Sequence, residues 1–162
     1  MVTNPPGDLR LAPLNGTPRP LREWLTLFHL AVVVLDPYTS ESAWLLPTAG
    51  RLLRTYDQAD CRVAWLITCD ADDARRFLGP WAGEILTFCD PDREAVKALG
   101  LERLPAFVHI DLAGDVVGSA EGWDPDEWRA VATELSRLMS WSRPVIPALG
   151  DPAPFPGSPA LG

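Results

Sequence analysis

The stretch DPDREAVKALGLERLPAFVHIDLAGDVVGSAEGW, residues 90–123, decides the fold. Its first part reads as a helix over 90–100, with Asp90 at the N-cap, Pro91 at the first helical position and Gly100 as the stop. Leu104–Pro105 then opens a strand, PAFVHID (105–111), and Gly114 turns the chain into a second strand, DVVGSAEG (115–122). The two make an antiparallel hairpin. A last helix follows at once. Asp124 caps it, Pro125 opens it, Asp126 and Glu127 suit its positive end, and Trp128, Val131, Ala132, Leu135, Leu138 and Met139 form one apolar stripe.

Upstream, Leu30 to Leu35 reads as a strand buried on both faces, being short, apolar and rich in valine. It runs into a polar loop and then a helix on Ala43, Leu46, Ala49, Leu53 and Tyr56, which Pro47 should bend. VAWLIT (63–68) and EILTFC (84–89) are further strands, separated by a short helix over DADDARRFLG (70–79). LREWLTLF (21–28) suggests a short first helix. Residues 1–20, with prolines 5, 6, 13, 18 and 20, read as an extended lead-in, and the domain proper as 21–142. From Arg143 the chain is rich in proline and glycine without periodicity, so the tail 143–162 is expected to be disordered or extended on the surface. The order β-α-β-α-β-α-β-β-α implies one α/β domain, a three-layer sandwich with a mixed central sheet covered by helices on both faces.

Composition narrows the function classes. A chain of 162 residues and 47% hydrophobic content suits a single domain with one core. A net charge of -8 would repel a nucleic-acid backbone or an anionic membrane. The apolar run Leu30–Leu35 is far below the ~20 residues of a membrane span. The start has no basic region followed by an apolar one, so a secretory signal is not expected and the cytoplasm is the default. Three cysteines without a CxxC pair, and two histidines, argue against a disulfide scaffold or a metal site; no cofactor is implied.

Three stretches carry a resemblance to a known family: LAPLNGTPRPLREW before the first core strand, VVVLDPYTSESAWLLP (32–47), and the 90–123 segment. Together they resemble the thioredoxin fold, in particular its redoxin branch of peroxiredoxins and thioredoxin-like proteins of cytochrome maturation. The likeness covers about residues 8–140. It implies that Leu104–Pro105 is a cis peptide beside the active site, in a loop whose backbone pairs with extended peptide substrates. It also implies a reactive cysteine in the loop Tyr38, Thr39, Ser40, Glu41, Ser42, and there this chain departs. With Pro47 as anchor, the two CxxC positions fall on Thr39 and Ser42, and no cysteine precedes Cys61. The reaction needs a thiolate, which oxygen does not replace.

A serine nucleophile would need an adjacent base, and only Asp36 and Glu41 are near in sequence; helix capping is the ordinary role for Ser42. His109, on the hairpin, reads as a strand residue with a satisfied hydrogen bond. Cys61 and Cys69 bracket one strand and lie ~26 Å apart. Cys69 and Cys89 each end a strand, and the family arrangement makes those strands neighbours ~4.8 Å apart, so they are the candidate thiol pair. Trp44 and Trp123 are candidates for a contact surface. The leading expectation is a redoxin-like module that binds a protein or peptide without thiol chemistry. The alternatives are a thiol–disulfide oxidoreductase or antioxidant protein using Cys69 and Cys89, and a structural subunit. The oligomeric state is open.

Overall fold

A computed structural model describes residues 1–162. Its centre is β3 (His29–Leu35), which pairs in parallel with β4 (Cys61–Ile67) and antiparallel with β7 (Ala106–Ile110). A strand flanked on both sides must hide both faces, and alternation divides its side chains cleanly. Ala31, Val33 and Leu35 enter one apolar layer with α2 (Ser40–Thr55), α3 (Ala71–Leu78) and α6 (Pro125–Met139). Leu30, Val32 and Val34 enter the other, with α1 (Leu21–Trp24) and α5 (Glu94–Leu99).

Including β1 (Arg10–Pro13), β2 (Arg19–Pro20), β5 (Leu86–Cys89) and β8 (Val116–Glu121), the strand order is β2-β1-β5-β4-β3-β7-β8. The sandwich and the hairpin around Gly114 follow the sequence reading. The carboxyl ends of the parallel strands β3, β4 and β5 emerge at one edge of the sheet, where the antiparallel β7 begins.

Five segments differ from expectation or refine it. The lead-in is not merely extended: β1 pairs with β5 (Ala12↔Cys89) and β2 with β1, at the sheet edge where proline is tolerated. Helix α1 stops at Trp24 rather than Phe28. A one-turn helix, α4 (Trp81–Glu84), precedes β5, which starts at Leu86. Helix α5 starts at Glu94, because Arg93 adopts left-handed backbone (φ 57°) and cannot continue a helix from Pro91. Asp90 still caps it, from further away: its carboxylate accepts the Ala95 and Val96 N–H groups, each at 3.2 Å. The tail is extended but not loose. It forms β9 (Ser158–Pro159), paired antiparallel with β6 (Arg103–Leu104).

His109 sits opposite Ala31 with no solvent exposure. Its Nε2 shares a 2.8 Å hydrogen bond with Nδ1 of His29, and its own Nδ1 has no partner, so the ring is only half satisfied. Burial, and then the neighbouring His29, push its pKa down to about 4. The unfolded ring, with an ordinary pKa of 6.5, takes a proton that the folded one refuses. Stability should therefore be full above about pH 6.5 and fall toward pH 4, by about 3 kcal/mol from this ring. Denaturant unfolding across that window tests this: His109→Gln should lose that part of the slope, and an unchanged slope would show that the ring is not held neutral.

Candidate functional site

The polar loop after β3 is built by its own side chains. Asp36 accepts the Tyr38 N–H on Oδ1 at 2.9 Å, and the Thr39 hydroxyl donates to the Asp36 carbonyl at 3.0 Å. Thr39 is the N-cap of α2, accepting the Ser42 N–H at 3.4 Å. The cap is thus Thr39 and not Ser42, which lies one turn further in and fully buried, its Oγ accepting the Asp36 N–H at 3.0 Å. Both hydroxyls are consumed by the loop itself. No imidazole reaches them, since His29 and His109 bond each other and His29 stands at the start of β3, the far end from the loop. Tyr38 and Ser40 point outward, Glu41 is half-buried, and Tyr38 donates its hydroxyl to Asp73. That bond to a carboxylate raises the phenol to about 12.

The second loop stands beside the first. Val34 pairs with Ala106, and continuing the register by one residue sets Leu35 opposite Pro105. The Leu104–Pro105 bond is cis, both residues are buried, and the Pro105 carbonyl accepts the Gly122 N–H at 2.8 Å. Sequence reasoning missed Arg93, which ties the first loop to the tail that pairs with the second. Arg93 donates to Asp36 Oδ2 at 2.9 Å, with the two side chains 17% and 5% exposed. Its other arm donates to the carbonyl of Ala160, in the tail.

The tail, expected to be disordered or extended on the surface, is extended and paired beside this loop. Leu104 faces Ser158 and Arg103 faces Pro159, while Ala160 N–H donates to the Glu102 carbonyl at 2.9 Å. Trp123 and Phe155 exchange both backbone hydrogen bonds, at 2.8 and 3.1 Å. The Phe155 ring meets Trp44 edge-on at 5.7 Å. Of the two tryptophans expected to mark a contact surface, Trp44 is more than half exposed, and Trp123 is fully buried with its indole N–H donating to Pro152.

Cys69 follows β4 at this same end, just past Thr68, whose N–H donates to the Leu35 carbonyl at 3.1 Å. Cys89 is the register partner of Ile67, so the two thiols line the same layer staggered by two residues rather than face to face. Both are free, as is Cys61 at the opposite end of β4. Burial, followed by nearby Cys89 and the carboxylates of Asp73, Asp70 and Asp36, pushes Cys69 up to about 12. Burial also raises Cys89, and takes Cys61 to about 11. Such thiols are nearly all protonated at neutral pH and are poor nucleophiles. No group of three or more His, Cys, Asp or Glu is placed to hold a metal ion, and no helix is long and apolar enough to cross a membrane.

Comparison with known proteins agrees with this layout. No family model matches the chain, and no curated protein matches its sequence. Solved structures do. A thiol:disulfide interchange protein DsbE from Chlorobium tepidum shares 16% identity, with a TM-score of 0.68 over 86% of this chain and 99% of that one. Peroxiredoxin Q of Xanthomonas campestris gives 14% and 0.65 over 86% and 95%. A hypothetical protein from Sinorhizobium meliloti gives 13% and 0.70 over 99% and 94%. The fold is thioredoxin-like, as in these DsbE and peroxiredoxin Q structures. At such low identity the likeness fixes the architecture alone.

Removing Arg93 would strand a buried carboxylate. Arg93→Ala should cost about 3 kcal/mol in denaturant unfolding, and adding Asp36→Asn should recover part of it. Additive losses in the double variant would show that the two groups are not coupled.

Proposed function

We propose that this chain is a non-catalytic binding module whose partner is a protein or peptide engaged at the Tyr38–Ser42 loop and the Leu104–Pro105 loop. One observation carries the reading. At the start of α2, where thioredoxin-type chemistry needs a thiolate, this chain has Thr39 and Ser42, and both hydroxyls are already used in holding the loop. The exposed rings of Tyr38 and Trp44 beside that loop favour a contact surface. Three unpaired thiols suit a reducing compartment, and we place the protein in the cytoplasm on that ground.

A second reading, a thiol–disulfide oxidoreductase or antioxidant protein, draws on Cys69 and Cys89 lying near the same end of the sheet. Their raised pKa values weigh against it. The test is disulfide reduction and peroxide consumption by the native chain and by a Cys61→Ser, Cys69→Ser, Cys89→Ser triple variant. Background rates in both are expected. Turnover that disappears with the cysteines would replace the binding reading with the catalytic one.

A further inference from the structure

Residues 144–160 are fastened to the domain in two different ways. Residues 144–151 are fastened by side chains. Arg51 and Thr48 both bond Asp151 at 2.8 Å, Asp151 also accepts the Ala148 N–H, and Arg129 holds the Ile146 carbonyl. Beyond Pro152 the mode of attachment changes. Phe155 and Ala160 are held through their backbones, on Trp123 and Glu102, and Ser158 and Pro159 add a short strand to Arg103–Leu104. The pairing is local, since Arg103–Leu104 has no other strand partner and Trp123 meets Phe155 in an isolated bridge, and main-chain pairing of this kind is one way extended peptides are captured.

The close approach is built into both partners. Gly157 has φ +83°, and a Cβ there would stand 2.5 Å from the Leu104 carbonyl oxygen. Gly122 has φ +69°, and its Cβ would stand 2.5 Å from the Pro156 carbonyl oxygen. Only glycine at each position lets the two backbones meet. At the far end, Ala160 is 1% exposed and packs in the apolar layer with Leu104 and Val96.

We propose that residues 155–160 are the resident occupant of the Arg103–Leu104 edge and gate it. An outside segment enters only when this one leaves, with residues 144–151 keeping it tethered. The ligand so admitted is an extended segment that pairs antiparallel and carries glycine opposite the Leu104 carbonyl. This rests on the binding reading above. A tethered segment acts at an effective concentration on the order of millimolar. A free segment of intrinsic Kd about 100 µM would thus be weakened about tenfold.

The experiment uses full-length chains and a labelled peptide of residues 153–162, followed by fluorescence anisotropy. Gly157→Val removes the close approach, and Ala160→Arg unseats the other end should the first variant fold poorly; circular dichroism and thermal melting check both. Binding at least tenfold tighter to the variants than to the native chain supports the gate. Equal binding to native chain and variants would overturn the gate and leave the peptide site standing. No binding to a folded variant would overturn the occupancy itself. The thiol assays do not depend on the tail, so failure of the binding reading shows there separately.

Discussion

The buried pair of Asp36 and Arg93 locks together three parts of the chain that the sheet and the tail pairing bring side by side. Asp36 closes the loop ahead of α2, Arg93 stands before α5, and the guanidinium also reaches the Ala160 carbonyl. A carboxylate 5% exposed is tolerable only with charge-assisted hydrogen bonds, which Arg93 and the Tyr38 N–H supply. Asp36 in turn positions Ser42 through its own N–H. The first turn of α2, the Pro105 loop and the chain end are therefore held as one assembly.

In that assembly the start of α2 holds no cysteine, and its hydroxyls are occupied within the loop. A helix N-terminus stabilises a thiolate through unpaired N–H groups. Here Thr39 takes the Ser42 N–H, and Ser42 takes the Asp36 N–H, so the hydroxyls act as structural partners. The nearest thiol, Cys69, is surrounded by carboxylates and buried, which favours the neutral form. What the end of the sheet still offers is backbone edge and aromatic surface.

The sandwich was legible in the sequence because its signals are local. The valine run of β3, the Gly114 hairpin and the Asp124–Pro125 start of α6 each announce themselves within a few residues. The absence of thiols before Cys61 was equally plain. The edge strands β1 and β2 were hidden by their prolines, and the start of α5 by a left-handed Arg93 that no propensity indicates. The tail was hidden more deeply. Its strand is two residues long, and its register is set by Arg103–Leu104 and Glu102, more than fifty positions away. Long-range pairing of a proline-rich segment leaves no period to read. The two glycines were the only trace, and each alone looks like a turn.

Native-state hydrogen exchange on the full chain tests the seated tail most directly, through the amides of Phe155 and Ala160. Both should be protected well above their intrinsic exchange rates, together with the Trp123 and Gly122 amides they help to cover. Free exchange at Phe155, Ala160 and Trp123, with the Gly122 amide still held by the Pro105 carbonyl, would mean the segment does not occupy this place, and the account would fail.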